Sequence, residues 1–134
     1  KKNIKLDNFN IQMFKPLNID PIYRSLKKTG KLISIDTGHI TYGISSEIIS
    51  SLIEMDQNIF SKKPVRLGLP DIPTPSSRGY VKDYYPNAEL LLYKILEMLD
   101  LSKYKRHEII KEFNKKYANK LMSDVPNKAF KGPF

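Results

Sequence analysis

PVRLGLPDIPTPSSRGYVKDYYP, residues 64–86, decides how this chain is organised. Val65-Arg66-Leu67-Gly68-Leu69 reads as a strand, and Pro70, Pro73 and Pro75 follow it within six positions. Proline fixes φ and has no N–H to donate, so neither a helix nor a central strand passes through this segment. Each X-Pro step also drives the preceding residue to extended geometry. The segment is therefore a stiff, extended arm with few internal hydrogen bonds, and such an arm is held by the surface on which it lies. Asp71, Arg78, Tyr80, Tyr84 and Tyr85 supply its polar and aromatic handles. One reading is a connector between a strand and the helix that opens at Pro86. The functional reading is a subunit-contact or site-bordering loop, with Asp71, Pro73, Arg78, Tyr84 and Tyr85 as its interface residues.

Upstream of the arm, Leu32-Ile33-Ser34-Ile35 reads as a short central strand. It runs into a loop, Asp36-Thr37-Gly38-His39-Ile40-Thr41-Tyr42-Gly43, and a helix follows from Ser45 or Ser46. Ile44, Ile48, Ile49, Leu52 and Ile53 are spaced to line one face of that helix. Strand, glycine-containing loop and helix together place functional groups at the carboxyl edge of an α/β sheet. A helix start can hold an anion on its free N–H groups, which makes Gly43, Ser45 and Ser46 the candidates, although the loop lacks the spacing of a phosphate-binding fingerprint. His39 is the one group in this loop that titrates near neutrality, and so the one candidate for proton transfer, with Asp36 close enough in sequence to orient it. The alternative for His39 is a ring hydrogen-bonded to backbone. No serine or cysteine nucleophile has an evident triad.

Towards the amino terminus, Phe9 to Phe14 alternates, with Phe9, Ile11 and Met13 on one face, and reads as a strand ended by Pro16. Asp20-Pro21 reads as an N-cap followed by proline at the first helical position. Ile22 and Leu26 form that helix's buried stripe, and Thr29-Gly30 stops it. After the arm, Pro86-Asn87-Ala88-Glu89 opens a well-buried helix on Leu91, Leu92, Ile95, Leu96 and Leu99. Residues 103–122 form a second amphipathic helix, with Tyr104, Ile110, Phe113, Tyr117 and Leu121 as a narrow stripe on a basic surface. The tail after Ser123 is irregular and carries Phe130 and Phe134.

The 134 residues fit one core-forming domain, and 40% hydrophobic with 28% charged residues is an ordinary globular composition. No run approaches the roughly 18 apolar residues of a membrane span, and no membrane partner is expected. Without cysteine there is neither a disulfide nor a thiolate metal site, and two histidines do not make a histidine cluster; no metal site is expected. The net charge of +9 admits an acidic partner, but the lysines are spread along the chain and no nucleic-acid motif accompanies them. No nucleic-acid partner is expected; a basic binding module stays as the alternative.

The elements run strand, helix, strand, helix, strand, arm, helix, which is the order of a three-layer α/β domain with a mainly parallel sheet. The same order carries a resemblance. Phe14-Lys15-Pro16-Leu17-Asn18-Ile19-Asp20 resembles the leu-arg-x-x-x-pro-leu-asp segment of the beta subunits of thiamine-diphosphate-dependent 2-oxoacid dehydrogenases. Ser25 to Leu32 resembles their ser-val-x-lys-thr-gly-arg turn, and Ile33 to Ile49 their strand, acidic loop and helix. Arg66, Pro70, Asp71, Pro73, Pro75, Tyr85 and Pro86 match the closing segment. The part concerned is the transketolase C-terminal domain, and it covers residues 9–99; a transketolase-like enzyme moving two-carbon units is the alternative within the same resemblance. Three departures stand out: residues 1–8 are too few for the family's first strand and helix, the acidic loop reads Asp-Thr-Gly-His, and residues 101–134 run past the usual end. The chain is therefore expected to be a fragment, with a domain over 1–100 and a helical extension over 101–134. The resemblance implies a part of an oxidoreductase rather than a complete enzyme. Thiamine diphosphate and Mg²⁺ would bind elsewhere in the parent enzyme, and no cofactor would bind to this chain. The implied partners are an alpha subunit, a second beta subunit and the acyltransferase core. The expected compartment is the cytoplasm, with a mitochondrial or plastid matrix as the alternative.

Overall fold

The computed structural model describes residues 4–77 and 84–117. The chain divides into two compact units, Lys1–Asn87 and Ala88–Phe134. The first is α/β, built on a parallel sheet, and holds α1 (Asp20–Thr29), β1 (Ile33–His39), α2 (Ile44–Met55) and β2 (Val65–Leu69). The second holds α3 (Ala88–Met98) and α4 (Lys103–Tyr117). Arg78, Tyr80, Leu121, Phe130 and Phe134, singled out from the sequence, lie outside the described residues.

In α1 the helix begins one residue earlier than its sequence implies. Ile19 holds the N-cap position without a side-chain bond, so Asp20 is not the cap. It sits instead in the first turn, where a carboxylate still favours the positive end of the helix; Lys27 and Lys28 complement the other end. Gly30 then turns left-handed, at φ 60°, and its N–H reaches the Leu26 carbonyl at 2.7 Å. The Gly30 carbonyl accepts from the Ser61 N–H at 2.9 Å and from the Ser61 hydroxyl at 3.1 Å. Ser61 therefore packs where a side chain at residue 30 would stand.

Strands β1 and β2 pair in parallel, Ile33 with Val65, Ser34 with Arg66, Ile35 with Leu67 and His39 with Leu69. The pairing is irregular between Ile35 and His39. The expected loop over Asp36–Gly43 is thus a loop only from Ile40 onward, because β1 continues to His39. Backbone contact is what carries the strand further: a Cβ on Gly68 would lie 2.8 Å from the Gly38 carbonyl oxygen, so only a residue without a side chain lets the two chains approach so closely. Helix α2 makes the crossover that parallel strands require. Its Ile48 and Leu52 join Ile22 and Leu26 of α1 and Ile59 in one buried cluster, with Leu52 fully buried. Of the apolar face expected on α2, Ile44 and Ile49 are half-buried and Ile53 is exposed.

The expected strand over Phe9–Phe14 does not form. Residues 9–13 have no ladder partner, and one antiparallel bridge joins Phe14 to Leu17 across Lys15-Pro16. Alternation marks a face, but a strand also needs a neighbour with free hydrogen-bonding groups. Ile11 alone of that face packs against the core, while Met13 is 63% exposed.

In the second unit α3 starts at Ala88, two residues after Pro86. Leu96 is its one buried residue among those described, so the expected well-buried face is only half covered. Ser102 starts α4 by accepting from the Lys105 N–H at 3.4 Å through its hydroxyl and from the Arg106 N–H at 3.0 Å through its carbonyl. Arg106 lies over the Tyr93 ring at 5.0 Å and reaches Glu97 at 3.2 Å, while Lys94 reaches the same carboxylate at 2.8 Å. The Lys94 hydrogen bond holds the Glu97 carboxyl below its ordinary pKa; desolvation pulls the other way, and Arg106 adds to Lys94. Asn114 donates to Glu89 at 3.0 Å across the two helices. Of the expected stripe of α4, Ile110, Phe113 and Tyr117 are half-buried while Tyr104 is 73% exposed, and Arg106, Ile109 and Asn114 are half-buried beside them.

Two substitutions check this description by urea unfolding. Leu52→Ala removes the most buried side chain of the cluster and is expected to cost about 3 kcal/mol. Gly30→Ala places a Cβ against Ser61 in a left-handed residue and is expected to cost more than about 1 kcal/mol.

Candidate functional site

The carboxyl ends of β1 and β2 come to one level, and the Ile40 N–H donates to the Leu69 carbonyl at 3.0 Å. Arg66, which the strand alternation turns outward, donates from Nη1 to the Ile40 carbonyl at 3.0 Å and to the Ser46 hydroxyl at 2.5 Å. One guanidinium thus ties β2, the loop after β1 and the first turn of α2 together. Ser45, beside it, is buried, and its hydroxyl meets that of Ser34 at 2.8 Å. The Ser46 N–H donates to the Gly43 carbonyl at 2.9 Å. Gly43, Ser45 and Ser46, the anion-binding candidates, therefore stand together at the start of α2, with both hydroxyls, the Ser46 N–H and the Gly43 carbonyl engaged inside the fold.

His39 lies at the end of β1, with Nδ1 3.0 Å from the Pro70 carbonyl oxygen. A carbonyl only accepts, so Nδ1 carries the hydrogen and the neutral ring keeps Nε2 as an acceptor. The partner of the ring is thus the first residue of the arm, 31 positions away, and not the nearby Asp36. Thr41 donates its hydroxyl to the Asp71 carboxylate. Between these two ties lies an open recess of about 410 Å³, lined by His39, Thr41, Tyr42, Asp71, Ile72 and Pro73. Tyr42 is fully exposed and left-handed, at φ 59°.

The arm is fastened again at its far end. The buried Tyr84 donates its hydroxyl to the Ile72 carbonyl at 3.1 Å, and that hydroxyl also lies 3.2 Å from the Thr74 hydroxyl. Tyr85, 41% exposed, meets the Tyr84 ring edge-on at 5.1 Å. Of the interface candidates, Asp71 and Pro73 line the recess, Tyr84 is an internal anchor, and Tyr85 faces solvent. Sequence reasoning passed over Thr41 and Tyr42, since nothing in the local pattern pairs the β1 loop with a residue some 30 positions on.

Among the described residues no three carboxylate or imidazole side chains gather closely enough to hold a metal ion. No described helix is long and apolar enough to cross a membrane.

Residues 1–89 match the family described as Transketolase, C-terminal domain. Among curated proteins, the chain is similar to "Pyruvate dehydrogenase E1 component subunit beta, mitochondrial" of Chaetomium thermophilum, with 26% identity over 91 residues, 68% of this chain and 24% of the relative. The Drosophila melanogaster protein of the same name is 29% identical over 101 residues, 74% of this chain and 27% of the relative. The Saccharomyces cerevisiae one is 22% identical over 102 residues, 75% and 28% respectively. The chain thus spans about a quarter of the length of these relatives.

The two-ended fastening of the arm can be tested through its buried phenol. Tyr84→Phe keeps the ring and removes two hydrogen-bond partners, and is expected to cost about 1 kcal/mol. Amide exchange at Ile72 and Thr74 should quicken with it, while exchange within α1 stays unchanged.

Proposed function

Since this chain belongs to the transketolase C-terminal domain family, we propose that it is the C-terminal part of the beta subunit of a thiamine-diphosphate-dependent 2-oxoacid dehydrogenase. The observation that carries this reading is that the match takes in the sheet, the crossover helix and the arm together, while the relatives described above share one subunit name. On this reading the domain serves subunit assembly and docking, and the chemistry is done elsewhere in the enzyme. The partners are an alpha subunit, a second beta subunit and the acyltransferase core of the complex. Thiamine diphosphate and Mg²⁺ belong to the parent enzyme. Supplying oxidative decarboxylation of a 2-oxoacid is the task of that whole enzyme; this chain contributes contact surface, with no residue in a catalytic role. On this reading the domain occupies residues 1–100, and residues 101–134 extend past it. The relatives named above are mitochondrial by name, which supports a mitochondrial matrix location over the cytoplasmic one expected from the sequence.

The geometry supports this role in a further respect. Pro70, Asp71 and Ile72 of the arm are tied to His39, Thr41 and Tyr84 before any partner arrives, so less ordering cost remains to be met there on contact. Affinity purification of the tagged natural protein tests the proposal. The expected outcome is stoichiometric recovery of a thiamine-diphosphate enzyme subunit, in a complex that decarboxylates a 2-oxoacid and not a ketose phosphate. Recovery of the chain without such a subunit, or micromolar binding of thiamine diphosphate by the chain alone in calorimetry, would overturn it.

A further inference from the structure

The recess between the β1 loop and the arm has a lining of distinct chemistry. Among the described residues its lining contains the Asp71 carboxylate and no lysine or arginine, in a chain whose net charge is +9. The Asp71 oxygen that accepts from Thr41 is Oδ2, which leaves the lone pairs of Oδ1 directed elsewhere. The His39 ring, with its Nδ1 hydrogen given to the Pro70 carbonyl, offers a second acceptor at Nε2. Beside these acceptors stands the fully exposed Tyr42 ring, and Ile72 adds an apolar wall that is 56% exposed. Acceptors, an aromatic face and an apolar wall, with no cation among them, complement a flat donor-rich cation.

We propose that this recess receives the guanidinium of an arginine side chain presented by a partner polypeptide. Arginine fits better than lysine because its planar fork can meet a carboxylate with two donors while stacking on a ring, whereas an ammonium is a point charge with a strongly held hydration shell. An anionic ligand would face a carboxylate with no compensating cation in the lining. A metal ion would find fewer than three side-chain ligands of the usual kinds. The recess is open, so an isolated arginine binds it weakly but measurably, on the order of millimolar, and a side chain tethered to a larger contact gains the rest of its affinity outside. The inference deepens the assembly role proposed above, and rests on it only for there being a partner at all.

A probe titration followed by ¹H–¹⁵N NMR on the full chain reads the recess directly, so failure here would leave the assembly reading standing. N-acetyl-arginine methylamide should give saturable shifts at residues 39–42 and 70–73, and the citrulline analogue, isosteric but neutral, should give none. Asp71→Asn keeps an acceptor for Thr41 but loses the charge, and should abolish the saturable response. Tyr42→Ala changes a fully exposed side chain, and should weaken it roughly threefold. Equal shifts with citrulline, no saturable response to arginine, or an unchanged response in Asp71→Asn would each overturn the proposal. Should Asp71→Asn fail to fold, the arginine–citrulline comparison on the native chain and the Tyr42→Ala variant decide.

Discussion

The Leu69 carbonyl accepts from the Ile40 N–H one step beyond the last paired residues of β1 and β2, and this bond is where the parallel pair is closed. Parallel strands cannot be joined by a turn, so the chain must leave the sheet, cross and return. The crossover in this chain is α2, whose inward face completes the cluster that α1 and Ile59 begin. Because the two strands end together, the loop leaving β1 and the arm leaving β2 start side by side. Every contact at the candidate site follows from that adjacency: His39 with Pro70, Thr41 with Asp71, Arg66 with Ile40 and Ser46.

The arm has a hydrogen-bonding problem of its own, which its neighbours answer. Prolines at 70, 73 and 75 remove three donors from a short segment while every carbonyl remains. An extended segment with carbonyls in excess needs donors from outside it. His39 Nδ1 supplies the Pro70 carbonyl from the sheet edge, and the Tyr84 hydroxyl supplies the Ile72 carbonyl from the far side of the loop. The Ile72 N–H turns back to the Pro70 carbonyl at 2.8 Å, so that one oxygen has both a local and a long-range partner. Stiffness therefore comes from proline torsions together with two side-chain donors, and both donors come from residues that are otherwise candidates for function.

Where the sequence carries a complete local instruction, the reading and the fold agree. Pro21 and the Thr29-Gly30 stop bracket α1, the spacing of Ile48 and Leu52 turns α2 inward, and Val65–Leu69 is a strand with Pro70 directly after it. The failures are failures of partnership. Phe9–Phe14 alternates as a strand should, yet a ladder needs a second backbone, and nothing in that segment says whether one is at hand. The loop expected from Asp36 is shortened because Gly68, without a side chain, lets its backbone lie against the Gly38 carbonyl, a contact between segments far apart in sequence. On α4 the periodicity singles out Tyr104, whereas Arg106 takes the inward place because the Tyr93 ring and the Glu97 carboxylate stand ready for it. At the site, His39 and Asp71 were legible as polar residues in loops. Their companions were not, since Thr41 meets Asp71 and His39 meets Pro70 across some 30 intervening positions.

The placement of polar groups also bears on whether the site is built for chemistry or for contact. A general base must present an unpaired nitrogen to its substrate and be oriented by a group that strengthens as charge develops. His39 is oriented by a backbone carbonyl, which fixes the tautomer. The nearest carboxylate in the recess, Asp71, is committed through one oxygen to Thr41, and so holds two loops together at rest. Arg66, the cation closest in the fold to the helix start, is spent on a carbonyl and a hydroxyl within the domain. His39, Asp71 and Arg66 thus each have a partner inside the fold. On the assembly role proposed above, acceptors held in fixed positions by such bonds lower the ordering cost of meeting a partner.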